Sequence, residues 1–296
     1  MKQIDGQYIG LFEVAHVAGE HALMVFAVSL ILAMVVVLSV WQLVQRYGLR
    51  RENGGLSPKV LLIVHLTVSF AIIVGAAALF AAIADEIGAG ETLGRLDQAF
   101  ADGIASAVPI GVIRAFALVT HLGDTWVLAV WCVLGAAILT VRRRYALAIG
   151  FTLAIVGNGL LNSIIKHIFE RVRPVHDQSI ATATGWSFPS GHSSGSLVTY
   201  GIIAYVLVRV LPDGWRLPTI IVATFIAVTT ASSRVFLRVH FASDVLAGFA
   251  LGTFWLVACI LSIELTRRYW PRPRSGPSSP LIGRPQLAIR ESTQDT

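Results

Sequence analysis

The chain has 296 residues, of which 55% are hydrophobic and only 14% charged, and its formal net charge is +6. A soluble domain usually has about 25% charged residues, whereas here the apolar residues form long unbroken runs and the mean hydropathy is +0.72. This composition excludes a soluble enzyme and a disordered chain, and it indicates an integral membrane protein of the all-α class. Much of the positive charge flanks apolar runs, which is typical of membrane topology and not of a nucleic-acid-binding surface.

Seven stretches of the sequence are long enough to cross a membrane, for which a helix needs about 20 apolar residues. They are residues 22–44, 60–84, 124–141, 145–166, 193–211, 217–235 and 241–265. Before the first stretch, residues 4–21 mix charged and apolar side chains, which predicts an interfacial amphipathic helix. If the first stretch does not cross, six spans remain. The predicted fold is therefore a polytopic transmembrane helical bundle with six or seven spans.

Basic residues assign a side of the membrane to each loop. They follow the first, third, fifth and seventh stretches, within residues 46–59, 142–144, 209–216 and 267–268. These ends alternate along the chain, so all of them can be cytoplasmic at once. The long connection 85–123, the segment 167–192 and the turn 236–240 then lie on the non-cytoplasmic face. Because the loops are short and no targeting segment is evident, we expect a bacterial inner membrane.

The same pattern divides the chain into three regions. Residues 1–110 are predicted to be an N-terminal membrane region with one or two spans and a non-cytoplasmic connection. Residues 111–266 are predicted to be a transmembrane core, which carries the motifs described below. Residues 267–296 contain five prolines among serines and arginines, which predicts a disordered cytoplasmic tail. The sequence does not indicate an oligomeric state.

Polar residues inside or beside membrane spans are costly, and here they concentrate in three segments that share one face of the membrane. The first segment joins the fourth span to the loop after it. Asn158, Asn162 and Lys166 have the spacing of one helix face, and Arg173-Pro174 follows beyond the helix end. A lone lysine at this position would usually extend its amine to the interface. Together with the arginine, it suggests a binding site.

The second segment, residues 187–192, directly precedes the fifth span. Ser190 is a favourable N-cap, and Gly191 allows a ligand to approach the backbone closely. The free N–H groups and the positive end of the helix dipole make this helix start suitable for an anion. An ordinary capped helix start is the alternative, but it does not explain His192.

The third segment includes Arg234, His240 and Asp244 at the junction of the sixth and seventh spans. A carboxylate four residues after a histidine can accept a hydrogen bond from its far ring nitrogen and fix the tautomer. A histidine oriented in this way can act as a nucleophile or base, although a purely structural pair is the alternative.

The three segments together predict a phosphoryl-transfer site. Lys166, Arg173 and Arg234 supply three cations suited to phosphate oxygens. Of the two histidines, His240 is predicted to have a carboxylate partner and His192 to have none, which separates their roles. His240 would attack phosphorus, and His192 would protonate the leaving oxygen.

These residues resemble the three-part signature of a known family, the type-2 phosphatidic acid phosphatases, which are membrane lipid phosphatases related to vanadium-dependent haloperoxidases. The resemblance covers about residues 120–262. Its three motifs are Lys166-x6-Arg173-Pro174, Pro189-Ser190-Gly191-His192 and Ser233-Arg234-x5-His240-x3-Asp244. Each motif alone is weak, but the three in order with the right internal spacing are specific.

The resemblance implies a role for each matching residue. His240 would form a phospho-histidine intermediate with Asp244 orienting it, and His192 would be the general acid. The phosphate-binding residues would be Lys166, Arg173, Ser190, Gly191 and Arg234. Family members typically need no divalent metal, so no cofactor is expected. The expected substrates are lipid phosphates or diphosphates, namely undecaprenyl diphosphate, phosphatidylglycerol phosphate or phosphatidate. The aromatic residues Trp186 and Phe188 would anchor the loop at the headgroup level.

Three other functions stay open at this point. A metal-dependent hydrolase would use His192, His240 and Asp244 with His167 or His176, but the spacing matches no common metal motif and three cations lie nearby. A transporter or lipid-binding protein without catalysis would also have polar helix faces inside a bundle. A phosphatase or phosphotransferase for a soluble phosphate ester is the hardest alternative to exclude, because water reaches an interfacial pocket.

Overall fold

The computed structural model of the chain describes residues 2–48, 57–89, 91–174 and 183–269. These residues form helices and connections, with no strand among them. The helices are α1 Lys2–Glu20, α2 Ala22–Gly48, α3 Pro58–Ala89, α4 Glu91–Ala107, α5 Ile110–Val119, a 3₁₀ helix Thr120–Gly123, α6 Thr125–Val141, α7 Tyr145–Phe169, α8 Gly191–Val208, α9 Asp213–Phe236 and α10 Ala242–Tyr269. The predicted all-α fold is confirmed. The predicted disordered tail lies outside the described residues from position 270 onward.

Six segments of the described chain are long and apolar enough to cross a membrane. They are Ala22–Arg46, Leu62–Ile87, Ile110–Val141, Tyr145–Phe169, Asp213–Phe236 and Ala242–Arg268. The first of them is the stretch whose crossing the sequence left open. The predicted stretch 193–211 is not among the six, because the first turns of α8 are rich in serine. This helix lies inside the bundle, packed against α7, α9 and α10.

The predicted long connection 85–123 differs from the structure. Most of it is helical, in the end of α3, in α4 and in α5. The third candidate span begins at Ile110, earlier than the predicted residue 124. The physical reason is that Ile110–Val119 is itself apolar, so it adds to the apolar length of the segment that ends at Val141.

The apolar core of the bundle lies between α7, α8 and α10. Phe151 and Ala154 of α7 pack with Val198 and Ile202 of α8, and all four side chains are buried. A second cluster joins α4, α5 and α9, where the rings of Phe116 and Phe236 stack 4.1 Å apart. The first cluster holds α7, α8 and α10 side by side, and the second packs the end of α9 against α4 and α5, at the end of the bundle where α8 begins.

Close backbone approach brings α8 and α10 together at that end. A Cβ atom on Gly248 of α10 would lie 2.7 Å from the carbonyl oxygen of Ser190 and 2.8 Å from the Cβ atom of Ser193. No side chain fits in this space, so a glycine is needed for the backbone of α10 to lie against the first turn of α8. The interhelical distance here depends on glycine.

Candidate active site

The predicted site residues lie where four helices begin or end at one end of the bundle. Lys166 is in the last turn of α7, and Ser190, Gly191 and His192 form the start of α8. Arg234 is in the last turn of α9, Asp244 is in the first turn of α10, and the turn between these helices carries His240. Arg173 lies in the segment after α7. The structure therefore brings the three sequence motifs together.

His240 is almost completely buried, with 3% of its surface exposed. Its Nε2 atom is 3.1 Å from Nη1 of Arg173, and its Nδ1 atom is 3.4 Å from Oδ2 of Asp244. Because an arginine only donates hydrogen bonds, the contact with Arg173 assigns the lone pair to Nε2 and the proton to Nδ1. Burial lowers the pKa of His240 to about 3. The ring is therefore a neutral imidazole whose Nε2 faces the cations.

Asp244 is fully buried and is held by several donors. Its Oδ2 atom accepts hydrogen bonds from the hydroxyl of Ser187 and from the backbone N–H of Phe241, at 3.0 Å for the latter. Its Oδ1 atom accepts a 2.5 Å hydrogen bond from Nη1 of Arg171. The backbone carbonyl of the same residue accepts from the N–H of Ser190 at 3.0 Å. These contacts fix both the carboxylate and the start of α8.

His192 also has a carboxylate partner, so the prediction that only His240 has one was wrong. Its Nε2 atom lies 3.1 Å from Oδ1 of Asp124, and the other oxygen of Asp124 is 2.8 Å from Nδ1 of His121. The pairing was missed because Asp124 is 68 residues away in the chain. It uses Nε2 of His192. The two histidines still differ, because His192 is more exposed than His240.

The three predicted cations bind neutral oxygens. Nζ of Lys166 donates to the carbonyl of Trp186 at 2.9 Å, and Nη1 of Arg234 donates to the hydroxyl of Thr120 at 2.8 Å. Arg173 donates to backbone carbonyls on both sides of the site, those of Thr184, Gly185, Trp186 and Val239. Burial lowers the pKa of Arg173 from its ordinary value. None of the three cations has a carboxylate partner within the four described segments.

The start of α8 has the geometry that its sequence predicts. The hydroxyl of Ser190 accepts a hydrogen bond from the N–H of Ser193, as an N-cap does. A Cβ atom on Gly191 would lie 3.1 Å from Oδ1 of Asn162. The amide groups of Asn158 and Asn162 reach the hydroxyl of Ser194 at 3.4 and 3.3 Å. The two asparagines of α7 therefore support the first turn of α8, and Lys166 at the end of the same stripe contacts the loop before it.

The two aromatic residues before α8 differ from the predicted pair of headgroup anchors. Phe188 is fully buried and packs against the rings of Phe80 and Phe169, so its predicted role at the interface was wrong. Trp186 is half-buried and, together with Arg173, lines a shallow cavity of about 330 Å³. The carbonyl of Trp186 binds two of the cations, which the sequence did not indicate.

The residues of the rival metal site are divided between different partners. His192 contacts Asp124, His240 contacts Asp244, and His167 is exposed with Nδ1 bonded to the carbonyl of Ser163. His176 lies outside the described residues. In the part of the chain that the structure covers, no group of three or more histidine, cysteine, aspartate or glutamate side chains is arranged to hold a metal ion.

Comparison with known proteins identifies relatives of this site. The PAP2 superfamily model matches residues 145–268. Phosphatidylglycerophosphatase B of Bacillus subtilis is 39% identical over 151 residues, which are 47% of this chain and 70% of that protein. An undecaprenyl-diphosphatase of Sulfolobus acidocaldarius is 28% identical over 142 residues, covering 46% of this chain and 65% of the relative.

A solved structure is similar over a longer part of the chain. The crystal structure of a transmembrane PAP2-type phosphatidylglycerolphosphate phosphatase from Bacillus subtilis matches with a TM-score of 0.61 and 30% sequence identity. The match covers 67% of this chain and 98% of the other. The sequence similarity, the shared fold and the three assembled motifs agree, and the chain belongs to the PAP2 superfamily of type-2 phosphatidic acid phosphatases.

Proposed function

We propose that this integral membrane enzyme hydrolyses a lipid phosphate or diphosphate through a phospho-histidine intermediate on His240, at the non-cytoplasmic face of a bacterial inner membrane. The observation that carries the proposal is the set of three cations around His240. Lys166, Arg173 and Arg234 have no carboxylate partner among the described residues, so their charge is available to an anion. Guanidinium groups suit the geometry of phosphate oxygens.

The first step forms the intermediate. A bound phosphate group accepts hydrogen bonds from Arg173, which releases Nε2 of His240 from its 3.1 Å contact with that arginine. The lone pair of Nε2 attacks phosphorus, and a nitrogen–phosphorus bond replaces the bond to the leaving oxygen. Asp244 stabilises the positive charge that develops on the ring of His240. His192 gives a proton to the leaving oxygen.

The second step regenerates the enzyme. His192, now neutral, takes a proton from a water molecule, and the water oxygen attacks the phosphorus of phospho-His240. The nitrogen–phosphorus bond breaks and inorganic phosphate leaves, so that each step consumes one nucleophile and releases one leaving group. The cations and the N–H groups at the start of α8, near Ser190 and Gly191, stabilise the charge on the transferring group in both steps.

The charge pattern supports the proposed face. Helices α7, α8, α9 and α10 each connect the site to the opposite end of the bundle. That opposite end carries Arg143 and Arg144 before α7, Arg209 after α8 and Arg267 in the last turn of α10. Basic residues favour the cytoplasmic side, so the site end is assigned to the exterior.

The relatives support a lipid substrate and leave its headgroup open. One is named for phosphatidylglycerophosphate and another for undecaprenyl diphosphate. Both compounds place a phosphate group on an apolar lipid, and a pocket at the end of a membrane bundle meets such a group at the interface. We therefore propose a lipid phosphate or diphosphate as the substrate class, with phosphatidate as a third candidate.

Phosphate release by purified protein in detergent with EDTA tests this function. The panel is undecaprenyl diphosphate, phosphatidylglycerol phosphate, phosphatidate and a soluble phosphate ester. We expect release from at least one lipid, and loss of at least about 10³-fold in His240→Ala, the scale on which catalytic nucleophiles act. His167→Ala is the matched control and stays within about twofold, because this histidine is exposed and its ring bonds a carbonyl of its own helix.

Other outcomes would change the proposal in defined ways. Release from the soluble ester alone would contradict the lipid substrate, and loss of release with EDTA would favour a metal-dependent enzyme. No release from any compound by folded protein would favour a transporter or binding protein. Equal release by His240→Ala would show that another residue is the nucleophile.

A further inference from the structure

Arg171 is a largely buried arginine that the proposed mechanism does not use. Its Nη1 atom donates to Oδ1 of Asp244 at 2.5 Å and to the hydroxyl of Ser243 at 2.8 Å. Its Nη2 atom donates to Oδ2 of Asp97 at 2.9 Å. The side chain is only 9% exposed. One guanidinium group therefore bridges two buried carboxylates.

Asp97 comes from α4 and is held at the start of α10. It accepts hydrogen bonds from the backbone N–H of Ser243, at 3.2 Å, and from the hydroxyl of the same residue. Burial raises the pKa of Asp97, while Ser243 and Arg171 act to lower it. Asp97 precedes residues 145–268, which match the superfamily model. A residue of the N-terminal region thus supports the arginine behind the site.

The guanidinium group of Arg171 is also fixed from a third side. Its central carbon lies 4.4 Å from the centre of the Phe241 ring. Phe241 is the residue that follows His240 in the chain. With Asp97, Asp244 and Phe241 around it, the group cannot turn toward the phosphate-binding cations without breaking two ion pairs. This separates Arg171 from Arg173, which has no carboxylate partner in the described segments.

We propose that Arg171, anchored by Asp97, is a positioning residue that acts on His240 through Asp244. The inference rests on the proposed function, in which His240 is the nucleophile. A fully buried carboxylate is costly unless it is paired and hydrogen-bonded. The positively charged guanidinium of Arg171 pairs with Oδ1 of Asp244. This ion pair fixes the plane of the carboxyl group, so that Oδ2 stays 3.4 Å from Nδ1 of His240. Arg171 therefore affects the attack on phosphorus and not the binding of phosphate.

Replacement of Arg171 by lysine tests this role. Lysine keeps the positive charge but has no planar fork with which to bridge two carboxylates. We expect kcat to fall about 10- to 100-fold, the range for partners that orient a functional group from behind, while KM stays within about twofold. Arg209→Lys is the matched control, because Arg209 pairs with Glu264 at the opposite end of α8, and it leaves kcat unchanged.

Combination with Asp244→Asn distinguishes positioning from a general structural effect. If Arg171 acts through Asp244, then Arg171→Lys lowers kcat by less than about threefold in the Asp244→Asn background, because the coupled group is already lost. The inference is wrong if the loss is equal in both backgrounds, if kcat does not change in the wild-type background, or if only KM rises.

Asp97→Asn keeps the test decisive if Arg171→Lys does not fold. The amide replaces one oxygen by an amino group that cannot accept from Arg171 or Ser243. We expect a loss of kcat that also disappears in the Asp244→Asn background, and a persisting loss overturns the inference. If His240→Ala is fully active, the proposed function has failed. If His240 is essential and the losses are additive, only the role of Arg171 has failed.

Discussion

At the scale of single residues, each histidine of the site has a carboxylate partner but a different environment. His240 is buried beside Arg173 and Asp244, whereas His192 is more exposed and contacts Asp124. The buried ring has its Nε2 lone pair directed toward Arg173, which suits the nucleophile role that we propose. The more accessible ring suits proton exchange with a leaving group and with water. The difference between the histidines thus lies in burial and not in the presence of a carboxylate.

A leaving-group experiment tests the proposed role of His192. We expect His192→Ala to lower the single-turnover release of a lipid alcohol by about 10²- to 10⁴-fold, the usual contribution of a general acid. Release of p-nitrophenol from p-nitrophenyl phosphate should fall much less, because this leaving group needs no proton. An equal loss with both substrates would assign His192 to phosphate binding. His167→Ala, an exposed histidine on α7, is the control in both assays.

The buried state of His240 predicts a pH dependence of stability. The pKa of His240 is lowered by burial to about 3, whereas a histidine in an unfolded chain has a pKa of about 6.5. Below pH 6.5 the unfolded state binds a proton that the folded state does not, so stability is lost as the pH falls from 6.5 toward 3. We expect the wild-type Tm to drop more between pH 7 and pH 5 than that of His240→Asn. Parallel curves would show that folded His240 takes up the proton.

At the scale of helices, the site depends on the close approach of α8 and α10. Gly248 allows α10 to pass behind Ser190, and the N–H of Ser190 donates to the backbone carbonyl of Asp244 at 3.0 Å. This arrangement places the start of α8 and the carboxylate of Asp244 within one hydrogen bond of each other. The turn that we propose binds phosphate and the carboxylate beside the proposed nucleophile are therefore coupled through one helix contact.

Gly248→Ala tests the importance of this contact. Its Cβ atom would meet a backbone oxygen at 2.7 Å, so the helices must separate. We expect at least about a tenfold loss of activity and a destabilisation of about 1–3 kcal/mol, as for other overpacked sites. Gly159→Ala on α7 is the matched control, since nothing lies within 4 Å of its Cβ position and alanine favours a helix. Equal behaviour of the two variants would contradict the coupling of the helices.

The helices and the three motifs were predictable because each depends on local sequence. Long apolar runs predicted most span bounds closely, and the N-cap at Ser190 follows from its position before a helix. The contacts between segments were not predictable in this way. Arg171 and Asp97 are 74 residues apart, and His192 and Asp124 are 68 apart. No spacing rule joins positions so distant, and the packing of α4 against α10 and of α6 against α8 brings them together.

At the scale of the whole molecule, the N-terminal region contributes to the site. The sequence separates residues 1–110 from a core at 111–266, yet Asp97 bonds both Arg171 and Ser243 across that boundary. Helix α3 packs along α10, and α1 packs on α4. We propose that the phosphatase core at 111–266 needs α4 of the preceding region for full activity.

Accessibility in intact cells tests the proposed orientation of the molecule. Thr184 is exposed at the site end, and Ala146 is exposed beside the basic turn at the opposite end. We expect a membrane-impermeant maleimide to label Thr184→Cys in intact cells, and Ala146→Cys only after permeabilisation. The native Cys132 and Cys259 provide the background, which is measured in the wild-type protein. The reverse labelling pattern would place the site on the cytoplasmic face.

Trapping the intermediate shows whether His240 carries the phosphoryl group. His192→Ala is mixed with ³²P-labelled p-nitrophenyl phosphate and quenched. Formation of the intermediate then needs no general acid, because p-nitrophenolate leaves without a proton. Hydrolysis of the intermediate is slow, because the variant lacks the base that activates water. We predict a burst of p-nitrophenol equal to the enzyme concentration and a label that maps to the peptide containing His240. Turnover without any labelled enzyme, or a label on another residue, would show that His240 is not the nucleophile.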